Sequence, residues 1–223
     1  VYAVGGQGTI LRKNTSGTWA VEGVLLTSEE LTSVWVGADS VWVVGRNGRI
    51  GKKIGAGSWM PDTGPGGMPT TETLLSVWGF GQGAAQVTYV AGTNGFLMRR
   101  AGGTWSLEAT GLTTQDLVAV FGPNEDNLYA LGRKGAVLRR NGGSWVASPI
   151  SQFSGSAAGI AGSLHPTTGE MWIAGTRGTI LRQVGSGWQS EPTLTAQPFS
   201  GLAVAGSNDV YVVGLSGLIL HKF

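Results

Sequence analysis

With 223 residues, of which 41% are hydrophobic and only 13% are charged, the chain is too apolar for a disordered tail and long enough for one large all-β domain. The absence of cysteine excludes disulfide bonds, thiolate catalysis and zinc sites with cysteine ligands. A formal net charge of +2 disfavours nucleic acid as a partner, and no apolar run reaches the roughly 18 residues that a membrane span needs.

A sequence repeat organises the whole chain. An aromatic–apolar–apolar–Gly–x–x–Gly motif recurs six times at intervals of 39 to 47 residues, as YAVGGQG (2–8), WVVGRNG (42–48), YVAGTNG (89–95), YALGRKG (129–135), WIAGTRG (172–178) and YVVGLSG (211–217). Each copy continues into a second apolar run, and five of the six then reach a turn of small residues that ends in tryptophan. Another apolar run precedes every copy except the first.

Each repeat predicts four short strands, which we name A to D in chain order. Strand B carries the aromatic residue, strand C follows the G-x-x-G turn, and strand D contains the tryptophan. The G-x-x-G connection predicts a tight hairpin turn with positive φ. Strands that are apolar on both faces need cover on both faces, which neighbouring blades of a propeller supply. The sequence therefore predicts an all-β fold, a β-propeller of four-stranded blades with essentially no helix.

The repeat count favours six blades, and the chain length leaves five or seven as alternatives. We predict a single β-propeller domain over residues 1–223, with repeat units starting near residues 1, 41, 88, 128, 171 and 210. Since the first unit opens directly in strand B, we expect the natural protein to begin upstream of Val1.

The repeat unit V-W-x-V-G-x-x-G-x-I-L … G-x-W resembles the BNR/Asp-box and Ycf48-like group of bacterial β-propellers over nearly the whole chain. The Asp-box pattern is echoed in NTSGTW (14–19) and RNGGSW (140–145), but its aspartate is missing there. The resemblance implies a propeller fold, and its Ycf48-like side implies a scaffold or assembly factor that binds protein.

The strand-D tryptophans allow two interpretations. They could wedge between adjacent blades, where each indole would remove roughly 150–250 Å² from water. Alternatively, they could form a row of sugar-stacking platforms, one per blade. The residues concerned are Trp19, Trp59, Trp105, Trp145 and Trp188.

The basic residues are also repeated. All fifteen lysines and arginines fall in the B–C hairpins, at the turn or along strand C. One interpretation is a solvated edge with weak ion pairs that discourages edge-to-edge aggregation. The other is multivalent binding of an acidic polymer or partner through repeated weak sites. The candidate ligand-binding cations at the ends of strand C are Arg12, Arg99, Arg139 and Arg182.

Catalytic patterns are poor in this sequence. The two histidines, His165 and His221, occupy different places in the repeat, and no metalloprotease, nucleophile-elbow or phosphate-loop motif occurs. We therefore predict no catalytic residue, no metal site, no cofactor and no enzymatic activity.

Three hypotheses for function follow. The first is a non-enzymatic, lectin-like propeller that binds carbohydrate in repeated sites between blades, secreted or at the bacterial cell surface. The second is a scaffold or assembly factor that binds a protein partner through a charged face. The third is a glycoside hydrolase or lyase, which requires converging carboxylates on one face.

Overall fold

The computed structural model describes residues 1–22, 27–63, 70–108, 111–153, 161–164, 168–206 and 209–222. These residues form 22 strands in six antiparallel sheets and five three-residue 3₁₀ segments. The prediction of an all-β fold with almost no helix is confirmed. The chain divides into two compact units, Val1–Thr110 and Gly111–Phe223. Each unit contains three of the sheets, which we number in chain order.

The first unit contains sheets 1 to 3. Sheet 1 has strands B, C and D of its repeat, and sheets 2 and 3 each have strands A to D, with neighbours in chain order hydrogen-bonded. The strands are β1 (Tyr2–Val4), β2 (Ile10–Lys13), β3 (Trp19–Val21), β4 (Leu31–Val36), β5 (Ser40–Gly45), β6 (Ile50–Ile54), β7 (Met60–Pro61), β8 (Leu74–Phe80), β9 (Val87–Gly92), β10 (Leu97–Ala101) and β11 (Thr104–Leu107). The 3₁₀ segments are Gly6–Gly8, Gly83–Ala85 and Thr93–Gly95.

The second unit contains sheets 4 to 6. Sheets 4 and 5 have strands A to D, and sheet 6 has strands A, B and C. The strands are β12 (Leu117–Asn124), β13 (Asn127–Gly132), β14 (Val137–Asn141), β15 (Ser144–Ala147), β16 (Ala161–Leu164), β17 (Met171–Ala174), β18 (Ile180–Val184), β19 (Gly187–Glu191), β20 (Phe199–Gly206), β21 (Asp209–Gly214) and β22 (Ile219–Lys222). The 3₁₀ segments are Arg133–Gly135 and Leu215–Gly217.

The turns between strands B and C have the predicted positive φ. In each turn a non-glycine residue with φ between 53° and 58° precedes a glycine that is also left-handed. Glycine fits the second position because it has no Cβ to clash in this conformation. In sheet 5 the turn glycine, Gly178, also donates its N–H to the carbonyl of Gln197 at 3.0 Å. The turn therefore holds the connection that leads into sheet 6.

Strand B of sheets 2 to 5 is buried on both faces, as its apolar sequence predicts. All six residues of β5 are buried, and in β13 only the first residue is partly exposed. In the first unit one core cluster combines Trp42 of sheet 2 with Leu74 and Val90 of sheet 3. The sheets of this unit thus pack face to face, and each supplies cover for the next.

Sheet 6 is covered on one face only within the described residues. Val210 and Val212 of β21 are buried against Trp172 of sheet 5. Alternate residues of a strand point to opposite faces. On the other face Tyr211 and Ile219 are 41% and 68% exposed.

Candidate binding clefts between successive sheets

An aromatic residue of strand B lies beside a cation of strand C in the same sheet. The two positions are direct partners in the antiparallel ladder, so their side chains share one face. The cation lies over the ring at distances that favour a cation–π interaction. The pairs are Arg12 over Tyr2 at 6.0 Å, Lys52 over Trp42 at 5.6 Å, Arg139 over Tyr129 at 5.7 Å and Arg182 over Trp172 at 5.7 Å.

The next residue of strand C points the other way, towards the preceding sheet. Arg100 of sheet 3 lies 5.1 Å from the ring of Trp42 in sheet 2, and Lys222 of sheet 6 lies 5.2 Å from the ring of Trp172 in sheet 5. At the corresponding place in sheet 5, Gln183 donates to the hydroxyl of Tyr129 in sheet 4 at 3.5 Å. Each of these aromatic rings therefore contacts polar groups from two sheets.

An acidic residue that follows strand D joins the cations of the two sheets. Asp62 lies 2.6 Å from Nζ of Lys52 in its own sheet and 3.2 Å from the guanidinium of Arg100 in the next sheet. The same arrangement places Glu22 at 3.3 Å from Arg12 and 2.7 Å from Lys53. These carboxylates neutralise the cations of the clefts between sheets 1 and 2 and between sheets 2 and 3.

Glu191 repeats this role between sheets 5 and 6. Its carboxylate lies 2.6 Å from Nζ of Lys222 and 4.0 Å from the guanidinium of Arg182, which also pairs with Glu170. Acids at this position were not among the site residues predicted from the sequence. The available signal was an acidic residue three positions after the strand-D tryptophan in four of the five repeats that have one: Glu22, Asp62, Glu108 and Glu191.

Asp62 is held in its ionised form inside the protein. Burial opposes ionisation, but the hydrogen bond from Lys52 and the charge of Arg100 outweigh it, so the pKa of Asp62 lies below its usual value. Burial likewise opposes ionisation of Glu22, and the hydrogen bond and charge of Lys53 lower its pKa.

We expect these two pKa shifts to make folding acid-sensitive. A carboxyl whose pKa is lower in the folded state adds stability above its unfolded pKa, and this stability is lost as the pH falls through the folded pKa. The unfolded values are close to 3.8 for Asp62 and 4.5 for Glu22. The free energy of unfolding, from urea titrations, should therefore decrease steadily below about pH 5. An Asp62→Asn variant should show a shallower decrease, and an unchanged slope would contradict this assignment.

Three of the predicted tryptophans lie between sheets. The ring of Trp59 contacts Tyr2 of sheet 1 at a centroid distance of 6.2 Å, Trp105 contacts Trp42 at 6.1 Å, and Trp188 contacts Tyr129 at 5.5 Å. All three pairs are nearly perpendicular, with interplanar angles of 83° to 85°. Each strand-D tryptophan of this group thus packs on the strand-B aromatic residue of the preceding sheet.

The indole N–H groups of two of these residues find acidic acceptors. Trp59 donates to Glu22 at 3.3 Å, and Trp105 donates to Asp62 at 3.2 Å. The other two predicted tryptophans differ in exposure, since Trp145 is 8% exposed and Trp19 is 45% exposed. Ligand stacking on the five tryptophans stays a prediction.

The predicted arginines share one position in their sheets. Arg12, Arg139 and Arg182 lie over the strand-B aromatic ring, as described above, and Arg99 donates from Nε to the hydroxyl of Tyr89 at 3.1 Å. The structure therefore brings predicted arginines and tryptophans together at the same clefts, as with Arg139 and Trp188 around Tyr129. Their role in ligand binding stays a prediction.

The clefts open into cavities of different volume. Between sheets 2 and 3 a cavity of about 320 Å³ is lined by Trp42, Lys52 and Arg100, and between sheets 4 and 5 a cavity of about 590 Å³ contains Asn127 and Arg182. Between sheets 5 and 6 the cavity measures about 540 Å³ and is mainly apolar. Its lining includes Trp172, Glu191, Leu194, Val212, Leu220 and Lys222.

Neither a metal-binding cluster nor a membrane-spanning helix is found in the part of the chain that the structure describes. No group of three His, Cys, Asp or Glu side chains there is arranged to hold a metal ion. No helix within the same residues is long and apolar enough to cross a bilayer. His221 contacts Asp209 at 2.6 Å and stacks on Tyr211 at 4.1 Å, whereas His165 lies outside the described residues.

No family model and no curated protein matches this chain. Solved structures do match it. A streptogramin B lyase aligns with a TM-score of 0.75 and 14% identity, over 97% of this chain and 76% of the lyase. A catalytically inactive virginiamycin B lyase from Staphylococcus aureus with quinupristin aligns with a TM-score of 0.70 and 16% identity, over 97% of this chain and 77% of that lyase. YCF48 bound to D1 peptide gives a TM-score of 0.60 and 14% identity over 99% of this chain and 87% of YCF48. These likenesses show that the chain has a β-propeller fold.

Proposed function

We propose that this chain is a non-enzymatic β-propeller that binds a protein partner through the cleft between sheets 5 and 6. The observation that carries the proposal is the mainly apolar cavity of about 540 Å³ at this cleft, whose lining also includes Glu191 and Lys222. A concave apolar site with a few polar groups is the usual form of a binding site. Among the structurally similar propellers, YCF48 is bound to a peptide, which supports a polypeptide ligand.

Apolar side chains around the same sheet support this choice. Leu194, which lines the cavity, is fully exposed, and Leu215, in the B–C turn of sheet 6, is 53% exposed. Exposed apolar surface of this kind is typical of protein interaction sites. In the clefts between sheets 1 and 2 and between sheets 2 and 3, Trp59 and Trp105 already pack on the strand-B aromatic residue, so the surface around sheet 6 is the better candidate.

A non-enzymatic role is part of this proposal. A glycoside hydrolase needs a carboxylic acid that stays protonated near neutral pH, which requires a raised pKa. Burial opposes ionisation of Asp62 and Glu22, but the neighbouring cations lower the pKa of each carboxyl below its usual value. A hydrolase or lyase stays the alternative, since two of the similar structures are lyases.

Carbohydrate binding is the second candidate. The cavities between sheets 2 and 3 and between sheets 4 and 5 favour it, because each joins an arginine to an aromatic residue or an amide. For the ring we propose six blades, with one antiparallel sheet in each. From the resemblance of the repeat to bacterial propellers, we propose secretion or display at a bacterial cell surface.

A parallel selection tests the proposal. The full chain is screened against a phage-displayed random peptide library and against a glycan array. We expect peptides to be enriched and their binding to be lost in Leu220→Glu, which places a charge in the apolar cavity. Leu112→Glu, at a residue that is 40% exposed elsewhere in the second unit, is the matched control and should retain binding.

Thermal unfolding of both variants shows whether the loss of binding reflects loss of fold. If glycans alone bind, and Leu220→Glu binds them as well as the parent chain does, carbohydrate binding replaces the present proposal. If neither class binds, the proposal of a binding function at this cleft is wrong.

A further inference from the structure

The cavity of about 320 Å³ between sheets 2 and 3 differs from its counterparts in the charge of its wall. Lys52 and Arg100 both line it, and no carboxylate does. The walls of three other cavities each combine a cation with a carboxylate: Arg12 with Glu22, Arg182 with Glu170, and Lys222 with Glu191. The cavity between sheets 2 and 3 therefore presents two positive groups without a negative group beside them.

The carboxylate that these two cations share does not reach the wall. Asp62 lies 2.6 Å from Nζ of Lys52 and 3.2 Å from the guanidinium of Arg100, but its side chain is 3% exposed and does not line the cavity. Asp39, which accepts the N–H of Gly83 at 2.7 Å, does not line it either. One carboxylate thus balances two cations, so the ion group has an excess of one positive charge.

The environment of Arg100 adds to the positive potential. Its Nε is buried and has no hydrogen-bond partner among the residues that the structure describes, so no acceptor compensates the partial charge of this N–H. The side chains of Lys52 and Arg100 keep 20% and 15% of their surface exposed, so a ligand in the cavity can reach both. A cleft with charges of one sign and poorly polarisable walls concentrates ions of the opposite sign.

The rest of the wall limits the size of the ligand. Gly102 and Gly103 of the C–D turn line the cavity, and a Cβ at either residue would meet no atom within 4 Å, so this side stays open. Ile54 and Ala84 supply apolar surface. The volume lies at the lower end of the range that is typical of small-molecule sites. The wall therefore suits a small molecule with one anionic group and an apolar part.

We propose that the cavity between sheets 2 and 3 binds a small organic acid, whose single carboxylate lies between Lys52 and Arg100. An excess of one positive charge matches a monoanion, whereas a phosphate group carries about −1.5 to −2 charges at neutral pH. The ligand carboxylate pairs from the cavity side with the two cations that Asp62 pairs with from inside the protein. The site lies in the first unit and is independent of the protein-binding cleft proposed between sheets 5 and 6.

A titration with acetate tests the requirement for charge. Acetate consists of little more than the carboxylate, so a site for small organic acids admits it, and acetamide is a neutral analogue of nearly the same shape. Each is added to the full chain at neutral pH, and the Nε–H resonance of Arg100 is followed by NMR. We expect this resonance to shift saturably with acetate and to stay in place with acetamide. Arg100→Lys, whose spectrum lacks the resonance, assigns it.

Substitution of Ile54 tests the location of the site. Ile54 lines the cavity and is 54% exposed, so polar side chains are tolerated there. Ile54→Glu places a negative charge in the wall, and because like charges repel, acetate should bind at least about tenfold more weakly. Ile54→Gln has the same size without the charge and should bind acetate as the parent chain does. Thermal unfolding of the two variants shows whether both keep the fold.

Three results overturn this inference. They are an acetate shift that does not saturate, an equal shift with acetamide, and equal acetate affinity in Ile54→Glu and Ile54→Gln. A titration with sodium chloride is the last control, since the same shift at the same concentrations would reveal a site for any anion instead of one for carboxylates. None of these results bears on peptide binding or on Leu220→Glu, so the proposed function is tested separately.

Discussion

Replacing Gly178 by alanine should destabilise the protein by about 4 kcal/mol, close to the upper end of single-substitution effects. The backbone φ at this residue is +68°, and a Cβ would lie 1.8 Å from the carbonyl oxygen of Thr195 and 2.9 Å from Oγ1 of Thr193. Neither neighbour can move freely, because Oγ1 of Thr193 lies within hydrogen-bonding distance of the carbonyl oxygens of both Gly178, at 2.7 Å, and Thr195, at 3.2 Å. The substitution therefore breaks the contact between the B–C turn of sheet 5 and the connection to sheet 6.

The matched control for this prediction lies in the same sheet. Gly185 has a φ of +60°, but a Cβ there would meet no atom within 4 Å. Gly185→Ala should lower the free energy of unfolding by only about 1–2 kcal/mol, which is the strain of a left-handed non-glycine residue. Urea unfolding of both variants gives the comparison. Equal losses of stability would mean that backbone conformation alone, and not the clash with Thr195, governs the effect.

Asp62→Asn should lower the free energy of unfolding by about 3 kcal/mol, since it removes one charge of a buried group of ions. The side chain of Asp62 is 3% exposed, and the side chains of its partners Lys52 and Arg100 are 20% and 15% exposed. The cations would stay buried without their counter-ion, and the indole of Trp105 would lose a charged acceptor. This loss is measured by urea unfolding at neutral pH, where the carboxylate is ionised.

An exposed ion pair serves as the control for this second prediction. Asp116 lies 3.1 Å from Arg133, and the two side chains are 32% and 47% exposed. Asp116→Asn makes the same chemical change at a place where water screens the charges. It should lower the free energy of unfolding by less than about 1 kcal/mol. A loss at Asp62 no larger than the loss at Asp116 would show that the ion group between sheets 2 and 3 contributes little to stability.

The repeat made the strands predictable from the sequence. A motif such as YVAGTNG places an aromatic strand before a left-handed turn, and the structure has β9 followed by Asn94 and Gly95 with positive φ. This works because the turn chemistry is local: two residues decide the conformation. The limits of strand D were harder to predict, since β7 comprises only Met60 and Pro61 and begins after Trp59, which was predicted to lie in the strand.

The clefts were less predictable, because their contacts join residues that are distant in sequence. Arg99 and Arg100 look like one basic pair in the sequence, but alternation sends them to opposite faces of the sheet. Arg99 then bonds Tyr89 of its own sheet, whereas Arg100 reaches Trp42 of the preceding sheet. Asp62, the acid that joins the cations, belongs to the repeat before that of Arg100. The ion group of Lys52, Asp62 and Arg100 therefore cannot be recognised within the sequence of a single repeat.

The alternation of strand C also bears on how such a chain can grow. Sheets 2 and 3 show the two different faces of a repeat. One face has an aromatic residue, a cation and an acid, as with Trp42, Lys52 and Asp62, and the other has a cation and a tryptophan, as with Arg100 and Trp105. The first face of one repeat fits the second face of the next, so the contact is heterologous and runs in one direction. Duplication of a whole repeat inserts a module whose two faces match those already present. A gene duplication of about forty residues is therefore compatible with the fold, whereas inversion of a repeat or transfer of half a repeat is not.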